Sequence, residues 1–223
     1  MTGPPYLNNN PTVPTFPANG VWTFAQRLSG MYLPLTSFNP SCSSSPSTPL
    51  TFLCWEAALG QFPLIGASPT ATINLNNSFS SIDLIQGMVL VHPSNNARAV
   101  ISWRSNVVNA NGTVGFTGNV RILGRVAHLD PACSNASVPD DGVRLFIRKS
   151  TVPGPLPIPV GSTIAVPFTS VPAAPIIYNS SKTFTVNSTV VTPGTEILFE
   201  IDNGGNNNIL CDGTSIDILI TKL

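Results

Sequence analysis

Charge is what this chain has least of. Its 223 residues carry ten Lys plus Arg and ten Asp plus Glu, so charged side chains make up 9% and the formal net charge is zero. Ordinary soluble domains are roughly a quarter charged. Nucleic acid and anionic membranes are both held through grouped cations, so neither is expected as a partner. Imidazole is equally scarce: only His92 and His128 are present, and a hydrolytic site needs a base poised beside a nucleophile. The sequence also lacks a nucleophile elbow, a phosphate-cradling glycine loop and a metal-binding His pair. A non-enzymatic protein without a cofactor is the expectation. No apolar run approaches the roughly 18 residues of a membrane span, and the N-terminus lacks the cationic start and apolar stretch of a signal peptide. Membrane insertion is therefore not expected, and no signal peptide is visible.

What the chain does have is 42% hydrophobic residues with 22 Pro and 17 Gly and no repeat. That hydrophobicity is too high for a disordered chain, and at this length an all-β chain commonly forms one domain. Strand-like alternation recurs throughout. Ile197, Phe199 and Ile201 alternate with Glu196 and Glu200, and Ile216, Ile218 and Ile220 alternate with Asp217 and Thr221. The two runs, separated by an Asn/Gly-rich turn, read as half-buried strands of a closing hairpin. Residues 88–91 and 97–104 suggest another hairpin across Ser94, Asn95 and Asn96. Residues 113–126 form the longest strand candidate, with Gly115, Gly118 and Gly124 marking bulges or bends. Residues 56–59 are the one place where a helical turn is expected. Ten or more short strands without a convincing helix predict an all-β jelly-roll β-sandwich of short antiparallel strands over residues 20–223. Residues 1–19 hold five prolines and no charged side chain, which predicts an extended Pro-rich N-terminal arm.

The candidate site residues are few. Cys42, Cys54, Cys133 and Cys211 lack the close pairing of zinc sites. They permit three disulfide pairings between which spacing does not choose, and free buried thiols are equally open. A bond between Cys211 and Cys133 would staple the last turn to the loop of the 130s. Asp141 and Asp212 lie in acidic loops and are candidate calcium ligands, although no EF-hand spacing is present. Trp55 and Tyr178 are candidate platforms for stacking on sugar rings, with polar loops to bond hydroxyls. Asn76, Asn111, Asn135, Asn179 and Asn187 begin glycosylation sequons. Glu196 and Glu200 share a strand face, but an i, i+4 spacing sets them about 13 Å apart on an extended strand. That is wider than paired glycosidase carboxylates.

Several blocks in order resemble a jelly-roll, carbohydrate-binding-like module of bacterial surface and secreted proteins. They are Trp22 with Phe24; His92 and Pro93 followed by the run 99–103; Asp141, Gly142 and Val143; Pro193 and Gly194 before Ile197 and Phe199; and Asp212, Gly213 and Thr214. The chain departs from that pattern at Ser94, where the module usually has glycine, and at Thr195, where an acidic residue is common. The resemblance implies the sandwich fold and, more distantly, glycan binding. Jelly rolls of viral capsids and surface fibres share the architecture. The combined expectation is a structural subunit on a virion surface or outside the cell. It would assemble with copies of itself through strand edges, loops and the arm; the alternative is a glycan-binding module for surface attachment.

Overall fold

Alternating sequences fold as strands when one face can be buried, and the computed structural model of the chain shows how these are. It describes residues 22–39, 42, 53–58, 61–67, 73–76, 81–84, 88–109, 112–129, 142–150, 158–159, 163–165, 181–204 and 212–223. The proposed arm lies outside them. In chain order the strands are β1 (Trp22–Leu28), β2 (Met31–Pro34), β3 (Ser37–Asn39), β4 (Leu53–Glu56), β5 (Leu64–Ala67), β6 (Ile73–Asn76), β7 (Ser81–Leu84), β8 (Val89–His92) and β9 (Arg98–Arg104). They continue with β10 (Asn106–Asn109), β11 (Gly112–Gly115), β12 (Gly118–His128), β13 (Arg144–Ser150), β14 (Ile158–Pro159), β15 (Thr163–Ala165), β16 (Ser181–Val191), β17 (Glu196–Asp202) and β18 (Thr214–Lys222).

Two seven-stranded antiparallel sheets make a sandwich-like all-β fold. The first runs β14-β2-β1-β9-β17-β13-β15 and the second β16-β12-β18-β8-β5-β4-β3; β6-β7 and β10-β11 are separate two-stranded ribbons. Among the described residues there is no helix, and the bend at Ala57 and Ala58 stands where a helical turn was expected.

The core follows from strand parity. Phe24, Ala99, Ile101, Leu145, Ile147, Ile197, Phe199 and Ile201 of the first sheet meet Ile65, Val89, Val91, Val120, Ile122, Val126, Phe184, Val186 and Ile216 of the second in one buried cluster. The Phe184 and Phe199 rings lie 6.1 Å apart across it. Burying each such large side chain contributes about 1.5–3 kcal/mol, and the alternate residues on each strand are left for the outer faces.

Both expected hairpins are corrected. β8 belongs to the second sheet and β9 to the first, and likewise β17 and β18 lie in different sheets. Alternation shows only that one face of a strand is buried. Two strands stacked across the core satisfy it as well as two strands paired side by side, and sheets stack about 10 Å apart. The crossing from β8 to β9 is fixed by Ser94, whose N donates to Ala97 O at 2.9 Å while its Oγ accepts from Ala97 N at 2.9 Å. At Thr195 the hydroxyl accepts from Thr192 N at 3.0 Å, a capping bond that an acidic side chain would also make. The hairpin that does form at this end joins β1 to β2, with Ser29 and Gly30 at φ of 49° and 80°, the positive pair that a two-residue turn of the I′ kind requires.

The long strand of residues 113–126 is also divided. β11 pairs back onto β10, and β12 runs eleven residues from Gly118. Its irregularity falls between Val120 and Ile122 against β16, so Gly124 serves another purpose. A Cβ on Gly124 would lie 2.4 Å from the Asp217 carbonyl and 2.2 Å from the Phe184 ring. The aromatic ring can shift, but the backbone of β18 cannot. Gly124→Ala is expected to destabilise the fold by about 1–3 kcal/mol, the range for overpacking a tight core; urea unfolding with an unchanged m-value would check it.

Candidate functional site

β17 is the central reference for the charged residues. It lies between β9 and β13, and all seven of its residues are buried. Its even-numbered side chains face away from the core, where Glu196, Glu200 and Asp202 meet arginines placed at matching parity on β1, β9 and β13. The expectation of a half-buried strand is thereby corrected: the outer face of the first sheet is covered by long side chains lying across it.

Glu200 is fully buried. Its Oε2 accepts from Arg27 at 3.0 Å and from Arg98 at 2.7 Å, and its Oε1 accepts from the Tyr32 hydroxyl. Arg148 Nε stands 2.9 Å from Oε1, yet it makes no aligned hydrogen bond, so this contact is coulombic attraction alone. Tyr32 reaches Glu200 by lying across β1 and β9, and with Ala25, Val100 and Leu198 it forms a small apolar cluster on this outer face. At one end of β17, Glu196 takes Arg104 Nε at 3.0 Å and the Ser102 hydroxyl. At the other, Asp202 receives Arg144 through Nε and a terminal nitrogen, each at 2.9 Å, the two-pronged geometry that carboxylates favour. Arg98 also approaches Asp202 at 3.4 Å, and its guanidinium sits 4.1 Å above the Phe146 ring, an attraction of about 0.5–1 kcal/mol at partly exposed sites.

Register places Arg27, Arg98, Asp202 and Arg144 in one row across β1, β9, β17 and β13. Beyond this row opens a polar cleft of about 320 Å³, walled by the β1–β2 turn at Ser29 and Gly30, the crossing turn at Ser94–Ala97, and Asn203 at the end of β17. At the end of β8, His92 Nδ1–H donates to Pro93 O at 2.8 Å and its ring stacks on Phe62 at 4.1 Å. Burial lowers the His92 pKa to about 4; its bond to Pro93 opposes the shift and His128 adds to it.

The residues proposed from sequence are dispersed. Trp55 lies half-buried in β4, its ring 5.0 Å from those of Phe24 and Phe38, so it bridges the two sheets. Asp212 is buried just before β18, where its carbonyl accepts from the Thr214 hydroxyl at 3.0 Å, and β8 and β5 separate β18 from β4. Cys42 and Cys54 form a disulfide on the outer face of the second sheet beside Leu90. Glu56 lies against that bond, but with both sulfurs bonded to each other the trio is no metal site. Asp141, Tyr178, Cys133 and Cys211 lie outside the described residues. The arginine cleft was missed. Its signal was the shared parity of Arg98, Arg144 and Arg148 with the glutamates of β17, which becomes visible only once the neighbours of β17 are known.

No protein-family model and no curated protein matches the sequence. Among solved structures, the enzymatically active domain of tailspike protein 4 of bacteriophage CBA120 is similar over 99% of this chain at 10% identity and a TM-score of 0.33; this chain spans 22% of that one. A likeness of this degree bears on neither fold nor function.

Replacing Glu200 with Gln keeps its shape but leaves three guanidiniums without their shared charge. The expected loss is about 3 kcal/mol, the lower end for a broken buried ion pair, because the arginines remain partly exposed and can rehydrate; denaturant titration at neutral pH checks it. His92 yields a pH dependence. Its folded pKa lies below the unfolded value of 6.5, so the unfolded chain binds more protons between about pH 6.5 and 4, and stability falls as pH drops through that window. In His92→Asn, whose amide can keep the bond to Pro93 O, the melting temperature should fall less between pH 6.5 and 5 than in wild type. Equal slopes would remove His92 from the explanation.

Proposed function

We propose that this chain is a non-enzymatic structural subunit that associates with copies of itself through the edge of its second sheet, on a virion or cell surface. The observation that carries this reading is β16. It is an eleven-residue edge strand, paired on one side with β12 and, among the described residues, with nothing on the other. Soluble proteins usually blunt such edges with charge, proline or brevity, since unpaired backbone groups template further strands. β16 has one charge, Lys182, and no proline.

Exposed apolar side chains stand on the face beside the edge, among the exposed Arg121 and Arg125 of β12. Val190, Leu219 and Leu223 are 57%, 56% and 67% exposed. Register sets Val190 opposite Asn119 and Leu219 opposite Leu123, while Leu223 N donates to Asn119 O at 3.0 Å. All three thus stand on the outer face of β16, β12 and β18. Pairing two β16 edges would extend the sheet across both subunits and place Val190 of each beside the seam, with Leu219 and Leu223 two strands further in. Zero net charge removes the self-repulsion that would oppose it.

Sedimentation and negative-stain microscopy of the purified chain test this. Wild type should form dimers or larger regular assemblies. Thr183→Glu with Val190→Glu should be monomeric, because it places two carboxylates along the edge. The monomer itself should keep its stability to within about 0.5 kcal/mol, since Thr183 pairs with Arg125 and Val190 O already accepts from Lys149 at 3.3 Å. A monomeric wild type, or a double variant that assembles unchanged, contradicts the reading.

A further inference from the structure

The row of charges at the cleft is unbalanced, and the imbalance has a direction. Arg27, Arg98, Arg144 and Arg148 converge on two carboxylates, Glu200 and Asp202. A guanidinium carries five N–H donors, so these four hold more donors than these two carboxylates can accept, and among the described residues of this row the arginines exceed the carboxylates by two. Three of the four, Arg27, Arg98 and Arg144, line the cleft. Asp202 is itself fixed, accepting from Gly204 N at 3.1 Å as well as from Arg144.

A second observation is independent of charge. Asn203 lines the same cleft and is only 7% exposed, yet its Nδ2 has no hydrogen-bond partner among the described residues. A buried amide donor left unmade costs about 1–3 kcal/mol, and such groups point to something that satisfies them. Around it stand neutral polar groups: Asn95, Asn96 and Ser94 on the crossing turn, where the Ser94 hydroxyl donates to Asn96 Oδ1 at 3.1 Å.

We propose that this cleft binds a small hydroxylated carboxylate of the sugar-acid class, its carboxylate drawn to the arginine row and its hydroxyls bonded by Asn203, Asn96 and Asp202. The size suits one sugar unit, since about 320 Å³ lies at the low end of small-ligand pockets. The charge suits a monoanion. Guanidinium forks match carboxylates, whereas Glu200 and Asp202 at the back of the row oppose a doubly charged phosphate. Neutral amides and a fixed carboxylate are the partners that hydroxyl groups need, and acetate would leave them unused. The cleft belongs to the first sheet and the β16 edge to the second, so this inference stands or falls separately from self-association.

Isothermal titration with sodium glucuronate as the probe tests it, beside glucose, acetate and inorganic phosphate as controls. Glucuronate should bind saturably at millimolar or tighter Kd, at least tenfold more tightly than glucose or acetate, and phosphate should not displace it. Arg144→Gln and Asn203→Ala should each weaken binding tenfold or more. Arg104→Gln, on the same face but outside the cleft, should leave it unchanged. Should either cleft variant fail to fold, as judged by its melting curve, Asn96→Ala on the exposed turn should still weaken binding at least threefold. The proposal is overturned by absence of saturable glucuronate binding, by equal affinity for glucose, by phosphate binding in its place, or by a loss in Arg104→Gln as large as in the cleft variants.

Discussion

Glu200 sets the terms for the outer face of the first sheet. A carboxylate buried without partners is costly enough that a protein must pair it or neutralise it, and this one is wholly buried on a central strand. Its partners come from β2, β1, β9 and β13, so one side chain ties together five neighbouring strands. The attraction contributes little net stability once desolvation is counted. Its effect is on arrangement, because a one-residue slip of β1, β9 or β13 would turn its arginine into the apolar core and an isoleucine or phenylalanine outward.

That arrangement accounts for the rest of the charge distribution. Five of the seven arginines, Arg27, Arg98, Arg104, Arg144 and Arg148, are committed to carboxylates on this one face. In a chain with only ten cationic residues, little remains for other surfaces. The edge strand β16 carries a single lysine among Ser, Thr, Asn, Val and the core-facing Phe184. The low overall charge thus has a structural counterpart: charge is concentrated where it sets strand register and is sparse along β16.

The strands were legible wherever period 2 was clean. The alternating runs at 196–201 and 216–221 were read as strands and lie in β17 and β18. Which strand lies beside which was not legible. Both hairpins expected from short turns are crossings between sheets, since alternation reports burial of a face and is silent about the neighbour. The same limit applies to Glu196 and Glu200, which were read only as sharing one face of a half-buried strand. Their alternation with Ile197 and Phe199 correctly separates two faces, but only the packing of β9 and β13 shows that the second face is covered. Asn203 was hidden differently, because in an Asn/Gly-rich loop an amide reads as turn chemistry, and its burial depends on the β8–β9 crossing more than a hundred residues earlier.

The departures from the jelly-roll pattern sharpen the same point. Ser94 and Thr195 were noted as residues standing where glycine or an acid is usual. Each makes a side-chain bond to a backbone N–H across its own turn, and each turn holds an end of a strand that carries the charged face: Ser94 precedes β9, and Thr195 precedes β17. The β8–β9 turn also forms one wall of the cleft, so a hydroxyl that fixes its backbone fixes the position of Asn96 relative to Arg98. A glycine at position 94 would offer no such bond and more backbone freedom, and the cleft would lose the rigid wall that pre-organised recognition needs. Thus Ser94 couples the local chemistry of one turn to the alignment of the arginine row on the sheet beneath it.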